Sequence, residues 1–166
     1  QQLEEAKQKL LELMPNIRLF DSDSPESAIL SGEAWAGIVW NGNASLGYAE
    51  NQALKYICPL EGCTVWFDNL AIPNGAPHRT AALQFIDYVL DPEASILITM
   101  EFPYSNPNAA ALDNLKTSDP ALYDSYMAFA GTNPPQEFLD RATLIIDVGE
   151  ATTIYDRIWT EIKGGE

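Results

Sequence analysis

The chain has 166 residues, 46% of them hydrophobic and 20% charged, which is enough to bury one sizeable core and argues for a globular protein. A formal net charge of -15 repels DNA and anionic membranes at long range, which excludes nucleic acid as a partner and favours cations. Acidity also serves solubility on its own, so charge by itself names no ligand.

The longest apolar runs, Ala34 to Trp40 and Leu144 to Ile146, fall far short of the roughly 18 to 20 residues that a membrane-spanning helix needs. Residues Gln1 to Met14 lack the basic start, apolar stretch and small-residue cleavage site of a signal peptide, and an exported protein loses such a signal before this point. Leu3, Ala6, Leu10 and Leu13 instead recur at three- and four-residue spacings, which predicts an amphipathic helix ending near Pro15.

Short β-type runs follow at Ile17 to Phe20, Ala34 to Trp40 and Leu54 to Cys58, separated by the Asp/Ser/Pro-rich stretch Asp21 to Ser27 and by Asn41-Gly42-Asn43. Cys58 and Cys63 bracket Pro59-Leu60-Glu61-Gly62, a segment that should turn and bring their Cα atoms to the roughly 5.5 Å of a disulfide. In an exported protein such a bridge persists, whereas in a reducing compartment the thiols stay free. The sole histidine, His78, lies too far along the chain to complete a zinc site with them, and the sequence implies neither a metal nor a cofactor.

Thr64 to Ile72 is the next predicted strand, stopped by Pro73-Asn74-Gly75-Ala76-Pro77 ahead of a helix from Thr80 to Leu90 that buries Leu83, Ile86 and Val89/Leu90. Asp91-Pro92 opens a second helix reaching Met100, and Pro103, Asn106, Pro107 and Asn108 impose a loop. The last predicted helix is capped by Asp147 with Glu150 three residues on, carries a stripe of Ala151, Ile154, Ile158 and Ile162, and ends at Gly164-Gly165. Short strands among amphipathic helices, without repeats, indicate an α/β architecture.

A strand through Thr64 to Ile72 sends Trp66 and Asp68 to one face, setting an indole beside a carboxylate. That pair suits an alkylammonium ligand, whose charged ends need anionic oxygens and whose methylenes need flat aromatic walls. The plainer alternative makes Trp66 a core residue and Asp68 a turn cap. Trp40, just before Asn41-Gly42, stands where a sheet ends, the place ligands occupy in open α/β folds, or else is a core aromatic. No phosphate loop or Gly-x-Ser-x-Gly elbow is present, and scattered acids such as Glu33, Asp68 and Glu101 make a weak case for a glycosidase pair, so the sequence argues against an enzyme.

The ordered pieces Gly37-Ile38-Val39-Trp40-Asn41-Gly42, Pro59-Leu60-Glu61-Gly62 and Val65-Trp66-Phe67-Asp68-Asn69-Leu70-Ala71-Ile72-Pro73 resemble the spermidine/putrescine-binding periplasmic proteins of ABC transporters. Ala82 to Pro92, Tyr104-Ser105-Asn106-Pro107-Asn108, and Asp147-Val148-Gly149 with Ile154-Tyr155 extend the resemblance across essentially the whole chain in order. The resemblance implies a periplasmic-binding-protein-like α/β lobe, a mixed sheet flanked by helices, incomplete relative to the two-lobed family because members run to about twice this length. It implies one unit over residues 1–166 that forms the C-terminal part of such a protein, with 67–111 returning to the first lobe.

Carried over residue by residue, the resemblance implies that Trp40, Trp66 and Tyr104 are aromatic walls and that Asp68 pairs with an ammonium group. Where the family places a glutamine before Asp-Val-Gly, this sequence has Ile145, which offers no hydrogen bond to an amine. The implied function is capture of a polyamine or similar organic cation by lobe closure after signal-dependent export, in the periplasm or otherwise outside the cytoplasm, with or without a membrane anchor, and delivery to ABC permease subunits. With half of the family's cleft absent, a homodimer or a complementary chain is the expected association. The alternatives are a self-standing interaction or assembly domain without ligand, and a binding protein for a different small solute.

Overall fold

The computed structural model describes residues 1–164. Where the sequence predicts one unit, backbone contacts divide the chain into two: Gln1–Asp21 together with the chain from Ile145 onward, and Ser22–Leu144.

The first unit pairs helix α1 (Gln2–Leu13) with helix α9 (Thr152–Lys163); both helices form where predicted, but Ala6, Leu10 and Leu13 of the α1 stripe are exposed. Ile158 and Ile162 of the α9 stripe are buried, while Ile154 stays exposed. Asp147 does not cap α9 directly: its carboxylate accepts the Gly149 N–H at 2.7 Å and opens a 3₁₀ turn, Gly149–Ala151, that leads into the helix. The Gly164 N–H closes the helix on the Thr160 carbonyl at 2.8 Å, and Gly165 lies outside the described residues. Lys7 donates to the Glu161 carboxylate, which also accepts from Arg157 at 3.0 Å, while Glu4 pairs with Lys7 at 3.5 Å. The Phe20 ring meets Trp159 edge to face at 5.3 Å, with the Lys163 ammonium 5.3 and 5.2 Å from the two ring centres.

The second unit contains α2 (Pro25–Leu30), α3 (Asn41–Glu50), β1 (Cys63–Val65), α4 (Arg79–Leu90), α5 (Pro92–Glu101), α6 (Ala109–Ser118), α7 (Pro120–Ala128), α8 (Gln136–Arg141) and β2 (Ala142–Leu144). The predicted mixed sheet is a two-stranded parallel one, with Cys63 opposite Ala142, Thr64 opposite Thr143 and Val65 opposite Leu144. The predicted strands at Ile17 to Phe20, Ala34 to Trp40 and Leu54 to Cys58 do not form, because a strand needs a hydrogen-bonding neighbour and none is present among the described residues. The predicted strand over Thr64 to Ile72 stops at Val65 for the same reason.

Helix α5 forms as predicted: the Asp91 carboxylate accepts from the Glu93 and Ala94 N–H groups at 2.9 and 3.3 Å, with Pro92 in the first turn. Helix α4 also forms, but its predicted buried face does not. Leu83 and Leu90 are exposed, Ile86 and Val89 are half-buried, and none of its residues is fully buried. The core of this unit gathers small residues, Ala44, Ala94 and Ala111, around Leu115, Tyr126 and Phe129.

Cys58 and Cys63 are bonded, with Cα atoms 5.4 Å apart, around a turn closed by the Gly62 N–H on the Pro59 carbonyl. Gly62 has φ +117°, and a Cβ there would lie 2.7 Å from the Arg141 carbonyl, so the turn admits only glycine. Arg141 donates to the Cys58 carbonyl at 3.2 Å, seating the loop on the junction of α8 and β2. Chain-entropy arguments give so short a disulfide loop about 2 kcal/mol of stabilisation.

The α1–α9 pair generates a pH prediction. The hydrogen bond from Lys7 holds the Glu161 carboxyl below its ordinary 4.5, and the hydrogen bond to Glu161 holds Lys7 above its ordinary 10.5. The contribution is therefore full between those ordinary values, lost on acidification through the lowered carboxyl value and lost on alkalinisation through the raised ammonium value. Thermal melts of Glu161→Gln should show a shallower loss of stability below pH 4.5 than the unmodified chain. Parallel curves would contradict it.

Candidate functional site

All four residues singled out in the sequence, Trp40, Trp66, Asp68 and Tyr104, lie in the second unit. Trp40 immediately precedes α3, with its carbonyl accepting the Ala44 N–H at 3.0 Å. The sequence reads Asn41-Gly42-Asn43 as a break, but these residues form the first turn of a helix whose buried face is Gly42, Ala44, Ser45 and Gly47. Small residues let the backbone pack closely, yet they carry no hydrophobic stripe for a periodicity argument to detect.

Trp66 stands one residue past β1, and the Cys58–Cys63 loop and the pairing to β2 fix where it leaves the sheet. Its indole meets that of Trp40 at 4.9 Å between ring centres and 77° between planes, an edge-to-face pair. Trp40 is 47% exposed and Trp66 half-buried, so the pair reaches solvent on the Trp40 side.

Tyr104 reaches the same helix turn by another route. Its ring lies directly on Gly42, where a Cβ would come within 2.4 to 2.8 Å of three ring carbons. The Tyr126 hydroxyl donates to the Tyr104 carbonyl at 3.2 Å and accepts the Asn106 N–H at 2.6 Å. Asn106 in turn donates to Thr99 Oγ1 and Ser95 Oγ on α5 at 2.7 and 2.9 Å. Its carboxamide oxygen accepts the Asn108 N–H at 2.8 Å, and Asn108 caps α6 through the Ala111 N–H at 3.1 Å. The loop from Pro103 to Asn108 is thus irregular, as predicted, and pinned by side chains. Burial pushes the Tyr126 hydroxyl above its ordinary 10.0, which keeps it a neutral donor.

Asp68 sits in the exposed stretch beyond Val65, and its carboxylate has no hydrogen-bond or ion-pair partner among the described residues. Because the strand has ended, alternation does not govern its side relative to Trp66; the two are linked only by chain continuity. Ile145 belongs to the first unit and is 59% exposed. Asn41, Ser105, Asn106, Tyr126 and Gly131 escaped the sequence reading as parts of this arrangement. The Gly131 carbonyl accepts from Asn41 Nδ2 at 2.9 Å and from Ser105 Oγ at 3.4 Å, a link across ninety residues in the first case and twenty-six in the second, with no local signal.

A separate hollow of about 270 Å³ lies between α3, α5, α6 and α7, with Tyr48, Ile96, Met100 and Phe129 on its walls. No charged side chain lines it, so it offers an organic cation nothing to offset desolvation. No group of three or more metal-ligating side chains gathers among the described residues.

The edge-to-face pair predicts an excitonic couplet of the strong indole transition in the far-ultraviolet circular dichroism that Trp40→Leu and Trp66→Leu each abolish. Their coupling in a double-mutant cycle is expected at about 1 kcal/mol. Retention of the couplet in either variant would contradict the pairing.

The chain is similar to known proteins over nearly all of its length. The chain is 32% identical to the spermidine/putrescine-binding periplasmic protein of Salmonella typhimurium over 99% of its own length and 45% of that protein's. It is 31% identical to the Escherichia coli protein of the same name over the same shares, and 29% identical to the putrescine/agmatine-binding protein of Pseudomonas aeruginosa over 98% of this chain and 44% of that one. A solved structure from Listeria monocytogenes, assigned to a spermidine/putrescine ABC transporter, superposes with a TM-score of 0.81 at 26% identity, covering 97% of this chain and 48% of the other. The chain therefore spans about half the length of the relatives it matches. Residues 1–130 match the family model for bacterial extracellular solute-binding protein, and the chain belongs to that family.

Proposed function

We propose that this chain supplies part of an extracytoplasmic binding site for a polyamine such as spermidine or putrescine, or a similar organic cation, and that it binds without catalysing a reaction. Trp40, Trp66 and Tyr104 are the aromatic walls and Asp68 is the anionic partner of an ammonium group. The observation that carries this reading is the solvent-open Trp40–Trp66 pair, with an uncommitted carboxylate two residues beyond Trp66. An alkylammonium over an indole face gains about 0.5 to 2 kcal/mol, and a charge-assisted hydrogen bond to a carboxylate about 1.5 to 3 kcal/mol. A net charge of -15 adds long-range attraction for a polycation. The names of the relatives supply the same ligand class.

In this reading the bound cation is delivered to ABC permease subunits, and the Cys58–Cys63 bridge suits a compartment outside the cytoplasm.

The stretch 67–111 returns to the first lobe of the two-lobed family. Its exposed Phe67, Phe85, Tyr88, Leu97 and Phe102 form apolar surface that a further part of the protein, a complementary chain or a second copy covers.

Calorimetric titration of spermidine and putrescine at two salt concentrations, with Asp68→Asn as control, tests this reading. Saturable binding that persists at the higher salt and weakens by about 10- to 100-fold in Asp68→Asn is expected. Weak attraction screened by salt, or equal affinity in the two proteins, would contradict it.

A further inference from the structure

We infer that Gly42 is a positioning residue of the aromatic site: its missing side chain is the space in which the Tyr104 ring lies, and the ring's place fixes one wall of the ligand slot. The inference rests on the proposed function above and adds a residue that itself reaches no ligand.

The geometry separates backbone from ring. The backbone of the Tyr104 loop cannot follow a displacement, because the Tyr126 hydroxyl holds the Tyr104 carbonyl and the Asn106 N–H, and the Gly131 carbonyl ties Ser105 to Asn41 on the first turn of α3. The Tyr104 ring, 38% exposed, is the part free to swing. A methyl group at residue 42 would lie 2.4, 2.5 and 2.8 Å from Tyr104 Cε2, Cζ and Cδ2, closer than any non-bonded contact allows, so the ring must rotate out. The three atoms nearest to that methyl group all belong to the Tyr104 ring. Gly42 does not have a positive φ, it sits in the first turn of α3, and alanine is the better helix former there. The substitution is therefore expected to leave the fold intact while moving the Tyr104 ring off Gly42, which stands two residues past Trp40.

Two measurements test this. In ligand-free protein, the Gly42 Hα resonances should be shifted by the Tyr104 ring current and should return to ordinary values in Tyr104→Leu. In titrations of spermidine, Gly42→Ala should weaken binding by about 2- to 30-fold, the range of one cation–π contact. It should have no further effect in a Tyr104→Ala background. Unshifted Gly42 Hα resonances, an unchanged affinity in Gly42→Ala, or an equal loss in both backgrounds would overturn the inference. Absence of spermidine binding in the unmodified protein would instead defeat the functional reading on which it rests. Asn41→Ala provides a check without added bulk: breaking its bond to Gly131 should diminish the ring-current shift, and an unaltered shift would count against the clasp.

Discussion

The hydroxyl of Tyr126 is the point on which the arrangement of the second unit depends. It accepts from the Asn106 N–H and donates to the Tyr104 carbonyl, satisfying two groups of a segment that has no ladder or helix to satisfy them. Through Asn106 the same connection reaches Ser95 and Thr99 on α5, and through Asn108 it reaches the first turn of α6, while Tyr126 itself belongs to α7. Three helices and one loop therefore share a partly buried network of polar groups. Such a network holds a unique geometry better than apolar packing of the same size. A ring carried on that loop is placed with the same precision.

In the function proposed, the logic of the site follows from what an alkyl diammonium requires. Its charged ends lose water unless an anionic oxygen replaces it, and its methylenes gain by leaving water for flat aromatic surface. Indoles and a phenol ring stand on pinned backbone, whereas the carboxylate of Asp68 lies in an exposed segment beyond the end of β1. Relatives of this chain are about twice as long, so the surface seen here is one side of a binding cleft in the account proposed. The exposed apolar residues between Phe67 and Phe102 fit that account, since a complete protein would not leave so many large side chains in water.

Much of this was legible in the sequence where local chemistry decides structure. Asp91-Pro92 announced α5, the stripe of Ile158 and Ile162 announced α9, and the turn between Cys58 and Cys63 set their separation. The family was legible from the order of short motifs. Strands were misread because β-type composition describes a surface that needs a partner, and residues 34–40 have none among those described. Trp35 and Ile38, 95% and 105% exposed, show how little holds that run. Helix α3 was hidden by its small residues. Helices α6, α7 and α8 received no prediction, although Asn108 and Asp119-Pro120 carry ordinary start signals. Of the site, the residue types were readable, but the contacts that place them were not: Gly42 with Tyr104, and Gly131 with Asn41 and Ser105, join positions far apart in sequence.

In the function proposed, the open indole pair forms a wall for a polyamine. Intermolecular nuclear Overhauser effects in the spermidine complex test it most directly, because they report which side chains touch the ligand's methylenes. The account predicts cross-peaks from the indole protons of Trp40 and Trp66 and from the Tyr104 ring to those methylenes. Saturable binding with cross-peaks only to other residues, such as those lining the apolar hollow beside Phe129, would contradict it.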